Sequence, residues 1–93
     1  MSILTQTVDE LVESLVEQTF EQLCMLSDCK EVVVHGFSVA IWKDRIALNE
    51  VRVVVQGYQG GQLGVGMMYA RGFRKTTTNT IIELSESELQ EFS

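Results

Sequence analysis

The sequence predicts an α+β domain in which a long N-terminal amphipathic helix packs on a four-stranded antiparallel sheet and a short C-terminal helix closes the chain. Three observations carry this reading. Apolar residues recur at three- and four-residue spacing over residues 7–27, the period of one helical face. The middle of the chain then changes to Val-, Ile- and aromatic-rich stretches broken by turn-forming residues. Near the end, Ser85 and Glu88 have the spacing of a capping box. A chain of 93 residues with 45% hydrophobic content has room for one such core, so residues 1–93 are read as a single domain.

The helix over residues 7–27 is drawn from Val8, Leu11, Val12, Leu15, Thr19, Leu23 and Leu26, which fall on one stripe. Thr7 and Glu10 are placed to open it as a capping box, and Asp9 and Glu10 suit the positive end of its dipole. Residues 31–42 (EVVVHGFSVAIW) read as one strand that is apolar on both faces. Lys43-Asp44 is the expected hairpin turn into residues 45–56, with Asn49-Glu50 either a bulge or a competing turn. Residues 57–61 (GYQGG) form the expected loop, because glycine adopts positive φ at little cost. Residues 63–75 alternate large and small, and the Gly/Ala side offers a close seat for the long helix. The β-branched residues 76–84 make the last strand. Residues 85–92 make the terminal helix, with Leu84 and Leu89 positioned as a hydrophobic staple.

Composition narrows the function. Seven Lys and Arg against thirteen Asp and Glu leave a net charge of −6, the wrong sign for a protein that holds phosphates through clustered cations. No apolar run approaches the roughly 18–20 residues of a membrane span, and the N-terminus lacks an export signal. Two cysteines without such a signal indicate free thiols in a reducing, cytoplasmic compartment. The charge is segregated: residues 1–29 hold six acids and no Lys or Arg, residues 30–82 hold every basic residue, and the final eleven are again acidic.

At about 100° per residue, Glu10, Glu13, Glu17 and Glu21 fall within roughly a quarter of the helix circumference, opposite the apolar stripe. Glu13, Glu17 and Glu21 are successive i,i+4 neighbours about 6 Å apart along the axis, and no Lys relieves their repulsion. Such a row is either the solvated face of an amphipathic helix or a surface for a basic partner. In size, charge and this row of Glu10, Glu13, Glu17 and Glu21, the chain resembles the small acidic DNA-mimic inhibitors that phages encode. The resemblance covers about a quarter of the chain and rests on no shared motif. It implies an inhibitor that occupies the Lys and Arg side chains of a nucleic-acid-binding protein. It also requires Arg45, Arg52, Arg71 and Arg74 to lie away from the acidic surface or in ion pairs.

Other candidate chemistry is sparse. Arg71, Arg74 and Lys75 with Tyr58, Tyr69 and Phe73 form a basic, aromatic, Gly-rich hairpin that offers direct nucleic-acid binding as an alternative. The glycines match neither phosphate-binding loop pattern. His35, Cys24 and Cys29 match no zinc spacing, and His35 is expected on an apolar strand face beside Val33 and Phe37. No catalytic, metal or cofactor residues are assigned, and the protein is read as non-enzymatic. One long helix covers only one face of the sheet. Trp42, Met67 and Tyr69 are therefore assigned to self-association on the other face, with a homodimer as the expected outcome.

Overall fold

A five-stranded antiparallel sheet, with strands in simple chain order, carries its two N-terminal helices on one face, while the short C-terminal helix reaches Arg74 on the other. The computed structural model describes residues 3–60 and 66–90. The elements are α1 (Ile3–Val16), α2 (Phe20–Cys24), β1 (Cys29–Val34), β2 (Phe37–Ala47), β3 (Glu50–Gly60), β4 (Gly66–Thr76), β5 (Ile81–Glu83) and α3 (Glu86–Gln90). The α+β class and the helix-on-sheet arrangement stand; the strand count and several boundaries do not.

The extra strand comes from splitting the run 31–42. His35 and Gly36 both take positive φ, at 51° and 80°, and join Val34 to its partner Phe37 in a two-residue hairpin. Positive φ at both central positions is the signature of a turn whose twist matches the flanking strands. Lys43-Asp44 is not a turn. It lies inside β2 opposite Val53 and Arg52, and the chain reverses at Leu48-Asn49 after a register shift between Asp44 and Ala47. Residues 57–60 belong to β3, and the rest of the expected loop lies outside the described residues. The segment 76–84 is not one strand: β4 ends at Thr76, and a turn with Asn79 at φ 63° leads into β5.

The long helix is also two. α1 begins before Thr7, whose buried hydroxyl donates to the Ile3 carbonyl at 2.8 Å, so Thr7 caps nothing. With that proton committed, its oxygen accepts from Nδ1 of His35 at 3.1 Å. The helix stops after Val16 because Thr19 opens a second one. Its side chain accepts from the Gln22 amide at 3.2 Å while Gln22 Oε1 accepts from the Thr19 amide at 2.9 Å. This reciprocal pair is the capping box that the sequence reading had assigned to Thr7 and Glu10. At the C-terminus, the Glu88 amide donates to Ser85 Oγ at 3.3 Å, as that spacing predicts.

The core lies between the helices and one face of the sheet. Leu4, Val8, Val12 and Leu15 of α1, with Phe20 and Leu23 of α2, cover Val39, Val51, Val53, Val55 and Phe73. Gly57 admits α1, since a Cβ there would lie 2.6 Å from Val8 Cγ2 and 2.8 Å from Leu4 Cδ1. The Gly/Ala side of β4 is not the helix seat. Strand alternation turns Tyr69 and Phe73 toward the helices and Ala70 and Gly72 to the outer face, because the core needs the large side chains. Leu84 fills the place above Gly72, where a Cβ would meet the Val53 carbonyl at 2.7 Å and Leu84 Cδ1 at 2.8 Å.

These two glycines differ in what surrounds them. Gly72 faces a backbone carbonyl, which cannot move without disturbing the ladder, whereas Gly57 faces the ends of two side chains. Gly72→Ala is expected to lose about 1–3 kcal/mol of stability, the range for overpacked sites. Gly57→Ala should lose less. Urea denaturation of the two variants checks both the loss and its order.

Candidate functional site

Six of the seven basic residues of the chain are turned to internal use; the seventh, Lys30, stands exposed on β1. Arg71 donates to Asp9 Oδ1 at 3.0 Å and to Glu83 Oε1 at 2.7 Å, tying β4 to both α1 and β5. Arg52 pairs with Asp44 at 2.9 Å, and Arg74 lies 3.2 Å from Glu50 and 3.9 Å from Glu88 of α3. Arg52 and Arg74 stand directly opposite each other on β3 and β4. Like charges at that position repel, so the three flanking carboxylates are what make it tolerable. Lys43 pairs with Asp28 at 3.1 Å and donates to the Cys24 carbonyl at 3.3 Å. Arg45 lies 5.5 Å from the centroid of the Phe20 ring and donates to the Leu48 carbonyl at 2.8 Å.

Lys75 is the most buried of these cations, at 5% exposure. Its Nζ donates to the carbonyl of Val16 at 2.8 Å and to that of Gln18. The last carbonyls of a helix lack intrahelical partners and carry its negative dipole end. Lys75 thus closes α1, and the Phe20 amide donates to Asn79 Oδ1 in the turn between β4 and β5 at 3.2 Å. The chain is pinned on both sides of the break.

That break decides the geometry of the acidic row. Glu10 and Glu13 are exposed on α1, Glu17 follows its last residue, and Glu21 stands on α2. The Glu17 amide still bonds the Glu13 carbonyl at 3.4 Å, so Glu13 and Glu17 remain neighbours on one helical turn. The uninterrupted row of four on one helix, expected from spacing, is corrected to three carboxylates at the α1 end and one beyond the break. Glu10 accepts from Gln6 at 3.2 Å, and none of the four enters an ion pair among the described residues.

Between the C-terminal half of α1 and strands β4 and β5 runs an open cleft of about 400 Å³. Val12, Val16, Phe73 and Ile81 make its apolar surface, while Glu13, Glu17, Glu83 and Arg71 make its polar surface. Beside it, the Tyr69 hydroxyl donates to Asp9 at 3.1 Å. Burial, and then the Asp9 carboxylate it bonds, push the Tyr69 phenol above its ordinary pKa. Burial works against the Arg71 cation, but its hydrogen bonds to Asp9 and Glu83 outweigh that and raise its pKa. This cluster was not foreseen: Asp9 and Tyr69 are sixty residues apart in sequence, and no local pattern joins them.

The residues assigned to self-association separate. Tyr69 is on the helix side, engaged with Asp9, and is withdrawn from the outer face. Trp42 is on the outer face at 37% exposure, its indole donating to Gln56 Oε1 at 2.9 Å. Met67 lies in β4 opposite Gln59, and its side chain lies outside the described residues. The register places Val33, Tyr58 and Met68 on the same face as Trp42, and all three are exposed. His35 is in a turn against Thr7 rather than on a strand face. Cys24 and Cys29 are free, and no group of three potential metal ligands occurs among the described residues. No described helix is long and apolar enough to cross a membrane. No family model, curated protein or solved structure matches the chain.

Replacing Lys75 by Met keeps the aliphatic stem and removes both donors to the end of α1. The loss is expected at about 1.5–3 kcal/mol, the range for hydrogen bonds made by a charged group. Urea denaturation reads the loss, and amide hydrogen exchange should rise first at residues 16–19.

Proposed function

We propose that the protein is a non-enzymatic binding protein that presents the carboxylates of Glu10, Glu13, Glu17 and Glu21 to a basic surface on its partner. The partner class this best fits is a nucleic-acid-binding protein, whose phosphate-contacting Lys and Arg the carboxylates would occupy. One observation carries the reading: Arg45, Arg52, Arg71, Arg74, Lys43 and Lys75 all have internal partners, while the four glutamates do not pair with any of them. With six of the seven cations engaged within the fold and the four glutamates facing outward, the field along α1 is negative; the exposed Lys30 lies on β1. Of the four arginines that the resemblance to DNA mimics requires to be paired or turned away, Arg52, Arg71 and Arg74 are in ion pairs with Asp44, Asp9, Glu83, Glu50 and Glu88, while Arg45 has no carboxylate partner among the described residues and donates to the Leu48 carbonyl. The same accounting speaks against direct nucleic-acid binding through β4, because Arg71, Arg74 and Lys75 are already engaged.

The test begins with capture of partners from nuclease-treated bacterial lysate at low salt, with salt-gradient elution. A basic nucleic-acid-binding protein should elute at moderate salt, since charged contacts are screened over about 10 Å at 0.1 M. The triple variant Glu13→Gln, Glu17→Gln, Glu21→Gln should lose that capture while its denaturation midpoint stays level or rises slightly. Unchanged capture by the triple variant overturns the reading.

A second reading, self-association, is favoured by the outer face, where Trp42, Tyr58, Met68 and Val33 lie exposed together. Exposed apolar residues grouped on one face mark interaction surfaces more often than solvated ones. Sedimentation equilibrium should then show a dimer that persists in high salt, dissociates in Met68→Glu and is unaffected by the triple Gln variant. A monomer at tens of micromolar removes this reading.

A further inference from the structure

We infer that the cleft between α1 and strands β4 and β5 seats one apolar side chain of a basic segment on the partner, the carboxylates around it taking the flanking Lys or Arg. The inference rests on the acidic-face reading above and adds to it where on that face the partner anchors and by what residue pattern. Glu13 and Glu17 belong at once to the outward acidic face and to this cleft, so the two features are continuous. Phe73 and Val12, both buried in the core, form the floor of the cleft, and the half-buried Val16 and the exposed Ile81 supply its accessible apolar surface. A volume of about 400 Å³ is at the small end of the range for ligand sites, and the cleft is open along one side. That shape suits a side chain projecting from a longer segment better than an enclosed small molecule.

Charge selects the occupant. The single cation in the cleft, Arg71, is already held by Asp9 and Glu83, so it offers little to an incoming anion. Glu13 and Glu17 have no such counter-ion among the described residues. An acidic or phosphorylated segment is therefore repelled, and a neutral apolar one leaves the carboxylates without partners. The basic and apolar stretch at residues 71–75 of a second copy is not available, because it is built into β4, with Phe73 in the core and Lys75 under α1. A segment of the form basic–apolar–basic, from another protein, satisfies both the apolar surface and its acidic rim.

The experiment titrates the ¹⁵N-labelled protein at low salt with two synthetic peptides, Lys-Arg-Leu-Arg-Lys and Lys-Arg-Gly-Arg-Lys, followed by amide chemical shifts. The Leu peptide is expected to move the Gly72, Phe73 and Ile81 amides and to bind about tenfold more tightly than the Gly peptide, the value of burying one Leu side chain. Ile81→Ser, an exposed position, should bring the Leu peptide down to the affinity of the Gly peptide and leave the latter unchanged. Equal binding of both peptides to the unaltered protein, with shifts confined to the glutamate amides, overturns the cleft and leaves the acidic face standing. Binding of neither peptide overturns both.

Discussion

A helix that ends against the sheet it packs on must find donors for its last carbonyl groups. In this chain Lys75 supplies them from the strand beneath, at a position 5% exposed. The strand register makes this possible, since Phe73 and Lys75 share the face that meets the helices: one fills the core and the next reaches past its edge. Placing a cation there requires full use of its donors, because an unpaired buried charge is costly. The Val16 and Gln18 carbonyls provide that use. The break between α1 and α2 follows from this contact together with the Thr19 cap, and the break in turn sets where Glu17 and Glu21 stand.

Charge is sorted by the same construction. On β3 and β4 the opposed Arg52 and Arg74 are each matched by carboxylates, and α1 is tied to β4 and β5 through Asp9, Arg71 and Glu83. Acids that stabilise the fold are thus those near the cations: Asp9, Asp28, Asp44, Glu50, Glu83 and Glu88. The glutamates of the outward helix face have no comparable structural task. That division, rather than the net charge, is the observation on which the proposed partner surface rests.

Much of the layout was legible in the sequence. The helical period of Val8, Val12 and Leu15 marked a face that is buried, and Ser85 with Glu88 marked the start of α3. The errors have specific causes. Thr19 fitted the apolar stripe by spacing, which hid its role as a cap, although Thr19 and Gln22 have the spacing that betrays one. In residues 31–42, apolar residues on both sides of His35-Gly36 masked a two-residue turn that the X-Gly pair signals. The large-and-small alternation of β4 was correct, but its faces were assigned backwards, because close approach at Gly57 was not weighed against Gly72. For the site, the unrelieved glutamates could be read directly. The cleft could not, since it joins α1 to strands more than fifty residues away and depends on which side of β4 faces the helix.

The strands follow one another across the sheet in chain order, each pairing with its immediate neighbour. Every strand pair therefore closes a short loop, and the entropy of chain closure is concentrated in docking α1, whose tie from Lys75 to Val16 spans 59 residues. During synthesis, the apolar stripe of α1 leaves the ribosome well before β4 exists to cover it. The like charges of Glu10, Glu13 and Glu17 on its other side repel those of a neighbouring copy, which disfavours association of uncovered helices until the sheet arrives.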